Sequence, residues 1–251
     1  MPVRRLVPVA AVSAALLAGC GAEPPGAPAF LPAAPSPSSA APRASTPPAP
    51  VTYPEAGDGT FTAAPAETGF RGQGRVLRYR VLVEKGITGI SASAFAKTVR
   101  GTLADPRGWS AGGERSFRRV GGRQAYDFTL YLVTPRTRDE LCQDIPDGYT
   151  SCRNGDKVVL NVARWVKGVP GYPAPLSVYR QYMVNHEVGH RLGNGHERCP
   201  GEGEPAPVMQ QQTLGLHGCT PNPWPYHDGE RYRGASGVYD DPMPPRDRGK
   251  R

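Results

Sequence analysis

After residue 18 the chain has no apolar run long enough to cross a bilayer, so no membrane-spanning helix is expected there. Lysine is scarce: Lys85, Lys97, Lys157, Lys167 and Lys250 are the only ones, and arginine supplies the rest of the 30 basic residues. With the abundant alanine, proline and glycine, this reflects a high-GC coding sequence and says nothing about partners. The formal charge of +8 falls to +6 once Arg4 and Arg5 are removed, and no nucleic-acid-binding motif accompanies it, so nucleic acid is not an expected partner. Cysteine numbers only five, with no CxxC knuckle spacing. Only Cys20 precedes the folded region, which excludes a cysteine-switch pro-segment, and no internal repeat is visible.

The N-terminus reads as a targeting device. Arg4 and Arg5 form a basic start, Leu6 to Ala18 an apolar stretch, and Leu17-Ala18-Gly19-Cys20 looks like the lipobox of bacterial lipoproteins, in which the cysteine is lipidated. An ordinary signal peptide is the alternative. Residues 1–19 are therefore expected to be a leader. Residues 20–68, rich in Pro, Ala, Ser and Thr, are expected to be a disordered tether, with a pro-segment as the competing reading. The expected domain spans 69–240, and 241–251 is expected to be a disordered basic tail. The chain would then be exported, held by an N-terminal lipid to the outer face of the membrane, facing the cell wall, and monomeric.

Four cysteines lie within the expected domain. An even number in an exported domain favours two disulfides, and although three connectivities are open, proximity favours Cys142–Cys152 and Cys199–Cys219. The first bridge is expected in a loop remote from the metal. The second brackets Met209. Zinc binding by these cysteines is the alternative.

Leu77, Tyr79, Val81 and Val83 alternate with Arg78 and Arg80, as in a strand with one buried face. Ser93 is expected to cap a helix carrying Phe95, Val99 and Leu103, stopped by Asp105-Pro106-Arg107-Gly108-Trp109. Strands are expected over 126–133 and 158–165, with a loop between them from Pro135 through Cys152, and a second helix from about Ser177 to Leu192. This pattern predicts an α+β fold, a small mixed sheet backed by two helices. An irregular C-terminal subdomain is expected after the second helix.

The most specific feature is His186-Glu187-Val188-Gly189-His190-Arg191-Leu192-Gly193-Asn194-Gly195-His196, a complete HExxHxxGxxH string. Residues four apart share a helix face, so the imidazoles of His186 and His190 can converge on one ion. Glu187 stands beside the first ligand, where a carboxylate can take a proton from an activated water. Were the helix to continue, His196 would sit roughly 9 Å up the axis and roughly 120° round it from His190, out of reach. Gly193 can adopt the positive φ that ends a helix and returns the chain toward the metal. The bland alternative, two core histidines and a surface one, leaves the other fixed letters unexplained.

These residues resemble the metzincin clan of zinc peptidases, which also has a methionine in a tight turn beneath the metal; Pro207-Val208-Met209-Gln210 supplies one. More closely, residues 105–109, 186–197 and Val208-Met209-Gln210-Gln211-Gln212-Thr213 resemble an uncharacterised actinobacterial family of exported, metzincin-like lipoproteins. The resemblance implies one zinc per chain on His186, His190 and His196, Glu187 as general base and Met209 as the turn. It also implies a tyrosine two residues after the methionine, but that position is Gln211, and Tyr226 is the candidate substitute. His217 and His227 read as surface histidines, Glu197 as a solvated carboxylate or a partner of the ligand set, and Trp109, Trp165 and Trp224 as core or loop anchors. Glu202 and Glu204 sit in a Gly/Pro loop, a poor place for the later-helix glutamate ligand of gluzincins.

The expected function is zinc-dependent endopeptidase action on a peptide or protein outside the membrane. The alternatives are hydrolysis of cell-wall peptide or amide bonds, and a non-catalytic binding lipoprotein stapled by zinc. Retention of Glu187 weighs against the last.

Overall fold

The computed structural model describes residues 50–250; the leader, the lipobox with Cys20 and the tether up to residue 49 lie outside that range. The described chain runs β1 (Phe61–Ala63), β2 (Arg75–Glu84), α1 (Ala92–Leu103), β3 (Arg115–Arg119), β4 (Phe128–Val133) and α2 (Pro135–Cys142). It continues through β5 (Cys152–Asn154), β6 (Lys157–Asn161), α3 (Val162–Lys167), α4 (Leu176–Arg191), β7 (Tyr226–His227) and β8 (Glu230–Arg231). The architecture is α+β with a mixed sheet, as expected, and two short helices accompany the two anticipated ones.

The sheet order is β1-β2-β4-β6-β5, with β3 also paired to β2. Strands β2, β4 and β6 are parallel neighbours, β3 runs parallel to β2, and β1 and β5 are antiparallel additions. Leu77, Tyr79, Val81 and Val83 of β2 are buried, matching the period-two pattern. The central β4 and β6 are buried on both faces, as parallel strands are when helices and loops cover them. Helices α1 and α4 pack against each other, α1 also against β2 and α4 against β6. Phe95 of α1 meets Trp165 edge-on at 4.9 Å, closing the core beneath α4. Among the described residues no helix is long and apolar enough to cross a membrane.

Several local expectations give way. The cap of α1 is Ser91, whose hydroxyl accepts from the Ala94 amide at 3.1 Å, rather than Ser93. Residues 135–142, expected as loop, form α2 because Pro135 sits in the first turn, where its missing N–H costs nothing and its φ is already helical. The expected strand 158–165 stops at Asn161. The Asn161 side chain accepts from the Ala163 amide at 2.9 Å and starts α3, and a wholly buried apolar run carries no periodicity to reveal that switch.

The ordered region is also longer than 69–240. β1 pairs with β2, and Glu84, 1 % exposed, accepts from the amides of Gly59 and Thr134 and the hydroxyl of Thr137, which pins residues 57–59 to the start of α2. At the other end Tyr53 and Lys250 exchange two backbone hydrogen bonds of 2.8 Å. Asp247 accepts from Tyr53, Lys167 and Arg164. Buried polar partners supplement the few apolar anchors, Tyr53, Phe61 and Ala64, of the N-terminal segment.

Candidate metal centre

Helix α4 places His186 and His190 on one face with their Nε2 atoms 3.1 Å apart. The helix ends at Leu192, Gly193 takes φ +91°, and the Asn194 amide and side chain both donate to the Gly189 carbonyl at 3.0 Å. This reversal brings His196 Nε2 within 3.1 Å of His190 Nε2. Two of the rings are oriented from behind: His186 Nδ1 meets the Val208 carbonyl at 2.8 Å, and His190 Nδ1 meets the Asn194 carbonyl at 2.9 Å. An Nδ1–H donated to a carbonyl leaves the Nε2 lone pair free to ligate. His186, His190 and His196 thus form a group that could hold a metal ion.

Burial holds all three imidazoles below their usual pKa. His186 is lowered well below it by burial and then by His190 and His196; His190 is lowered by burial; His196 falls to about 4 through burial and the neighbouring His190. Neutral imidazole is the form that binds metal. Glu187 is 5 % exposed and its Oε2 has no hydrogen-bond partner. Burial raises its pKa to about 8, opposed by Arg138 and Arg153 and reinforced by Asp144.

Met209 lies where the turn was expected, fully buried beneath α4. A Cβ on Gly189 would overlap its sulfur and stand 2.7 Å from the Trp109 ring, so the glycine admits the turn against the helix. The Glu197 amide donates to the Met209 carbonyl at 3.1 Å, while Val208 holds His186. The turn therefore braces the first ligand and the segment carrying the third.

A cavity of about 830 Å³ opens over the histidines and Glu187. Residues 144–147 and 150–153 form one stretch of its wall, and Gln211, Thr213 and Leu214 form another. Arg138, 2 % exposed, organises the first stretch from beneath, with contacts to Asp139, Asp144 and Asp147 at 3.1, 2.8 and 3.3 Å. Arg153 on the edge strand β5 donates from Nε and Nη2 to the His190 carbonyl. Sequence reasoning missed both arginines. Their partners lie up to 37 residues away, and the Arg138-Asp139 pair was the only local signal.

Both disulfides form with the expected pairing, Cys142–Cys152 and Cys199–Cys219. Cys142 and Cys152 also lie near Asp144, but with both sulfurs bonded to each other that trio is no metal site. The Cys142–Cys152 bridge is not remote from the centre. Cys152 lines the cavity and the next residue holds His190, because β5 is the sheet edge against which α4 packs.

Glu197 is neither solvated nor bonded to a ligand: at 8 % exposure it pairs with Arg231 at 3.1 Å and accepts from Gly234. Gln211 lines the cavity, but Tyr226 does not; its hydroxyl faces Gly112 after α1. The tyrosine that does line it, Tyr182, donates to the Gln210 carbonyl at 3.0 Å. His217 pairs with Asp241 and His227 stacks on Tyr232, away from the ligand trio. Trp109 donates to the Asn185 carbonyl, Trp165 is core, and Trp224 lies under Arg107, which makes all three anchors.

No curated protein and no solved structure matches the chain. A family model does, described as Protein of unknown function (DUF3152), over residues 47–227, which include the three histidines, Glu187 and Met209, and the chain belongs to that family.

Proposed function

We propose that the protein is a zinc-dependent endopeptidase of metzincin type, tethered outside the membrane by a lipid on Cys20. The observation that carries this reading is the pairing of a three-histidine group with Glu187, a buried carboxylate whose Oε2 has no protein partner. Tetrahedral zinc with bonds of about 2.0–2.1 Å spaces its ligands by about 3.3–3.4 Å, close to the 3.1 Å between the imidazole nitrogens here. The ligand group among the described residues has three members and faces a cavity, whereas structural zinc takes four protein ligands. Bound there, zinc supplies Lewis acidity toward a carbonyl and a water acidic enough to react near neutral pH.

Glu187 accepts the proton of the attacking water and passes it to the leaving amine nitrogen, so that water and amide become carboxylic acid and amine. Its Oε2, buried and without a protein partner, is the oxygen available for both halves of that transfer. β5 is the edge strand of the sheet, and Cys152 and Arg153 within it line the cavity, so an extended peptide can add to the sheet by main-chain hydrogen bonds while its scissile bond lies over the histidines. A peptide-library digest tests the reading. The zinc-loaded full chain should cleave internal bonds, and Glu187→Gln should keep the zinc and lose about 100-fold or more of the rate. A zinc-loaded parent that cuts no peptide, or a variant that cuts at the parent rate, contradicts it.

A further inference from the structure

The C-terminal tail bridges these two stretches of the cavity wall. On one side Asp241 pairs with His217 at 2.9 Å, three residues beyond Leu214 of the cavity wall. Tyr239 stacks on the same imidazole at 3.5 Å between centroids, and its hydroxyl accepts from the Cys199 amide at 3.1 Å. On the other side Arg246 pairs with Asp139 at 2.5 Å. The Asp247 amide donates to the Gly148 carbonyl at 3.4 Å, and its carboxylate meets Lys167 at 2.8 Å and Arg164 at 3.4 Å. Gly148, at φ +56°, has no side chain because a Cβ would stand 2.6 Å from the Arg246 Cγ. Between these anchors run Pro242, Met243, Pro244 and Pro245. Met243 and Arg246 line the same cavity as the histidines.

We propose that Asp241–Asp247 is a fixed strap that makes the cavity selective for a single extended chain and excludes folded or branched substrates. Three of the four linking residues are proline, so the span has a restricted φ and little slack to lose on being tied down. Prolines also remove the backbone donors with which the span could pair with β5, so the strap crosses the cavity without occupying the sheet edge as a substrate would. Five residue steps reach at most about 17 Å. Two anchored ends therefore cap the opening at about that width, which admits an extended strand of about 5 Å and not a folded domain. Met243 is 49 % exposed yet faces the cavity, a position that the expectation of a disordered tail does not explain.

The proposal rests on the metal-centred reading of the cavity but not on hydrolysis. Its test is the binding of two zinc-directed hydroxamates to the zinc-loaded full chain, one on a linear peptide and one carrying a bulky branched group at the same position. The parent should bind the linear probe at least about 10-fold more tightly, since 1.4 kcal/mol of clash suffices for that ratio. Tyr239→Ala with Asp241→Asn at one end, combined with Arg246→Ala and Asp247→Asn at the other, removes the side-chain anchors of the strap and should bring the two affinities within about 2-fold. Met243→Trp, which adds bulk to an intact strap, should weaken the linear probe while zinc content stays at the parent value. An equal preference in parent and freed variant, or no preference in the parent, overturns the strap. Failure of both probes to bind any zinc-loaded form would instead strike the metal-centred reading, and so would a parent that takes up no zinc.

Discussion

Gly189 and Met209 meet where no side chain can intervene: a Cβ on the helix residue would overlap the methionine sulfur. The turn that holds His186 through the Val208 carbonyl therefore packs directly on the backbone of the helix presenting that ligand. Gly189, at a variable position of the motif, thereby acquires a physical reason. Gly193 is required for φ +91°, whereas Gly189 is required for its missing Cβ.

Gly189→Ala should therefore destabilise the protein although alanine is the better helix former. Overpacking of this kind costs about 1–3 kcal/mol, which outweighs the roughly 1 kcal/mol gained from helix propensity. Denaturant unfolding of parent and variant gives the difference. A variant at least as stable as the parent would show that Met209 and Trp109 yield freely.

Arg138→Met should be strongly destabilising. The guanidinium is 2 % exposed, and Asp139 and Asp147 beside it are at most 8 % exposed in their side chains, so removing the cation leaves buried carboxylates without it. Breaking a buried pair in this way costs about 3–5 kcal/mol. Arg246 still neutralises Asp139, so the lower end of that range is expected. Thermal unfolding measures it, and a change below about 1 kcal/mol, the worth of an exposed pair, would contradict the assigned role.

The two disulfides should respond differently to removal. Replacing Cys142 and Cys152 together by serine should raise KM for peptides, since the bridge fixes the wall that reaches β5 and Arg153. Replacing Cys199 and Cys219 together should weaken zinc binding, because their 20-residue separation encloses Val208 and Met209. That closure is worth roughly 3 kcal/mol of unfolded-chain entropy. Zinc titration and steady-state kinetics on both double variants separate the effects; identical losses in both would contradict the division.

The metal centre was legible because its determinants are local. Four-residue spacing, a helix-ending glycine and the ligands around them all lie within eleven positions of the chain. β2 was equally plain, since one face of it is solvated and its sequence alternates. β6 and α3 were merged because residues 158–165 are buried without interruption across the junction, and burial erases the period that distinguishes strand from helix. The strap and β1 were unreadable for another reason. Tail residues such as Asp247 owe their order to Tyr53, Arg164 and Lys167, partners between 80 and 194 positions away. Composition alone made them look disordered. The nearness of Cys152 to the histidines likewise depends on α4 packing beside the sheet edge, a relation between elements that no spacing encodes.

Zinc content at equilibrium, measured on the full chain and on His190→Ala, tests the central claim most directly. His190 Nε2 lies 3.1 Å from the Nε2 atoms of both other ligands, so its loss removes the middle of the group. The parent should hold one zinc per chain and the variant should lose most of its affinity, as a site reduced to two imidazoles must. A His190→Ala protein that holds zinc at parent stoichiometry and affinity would contradict the account.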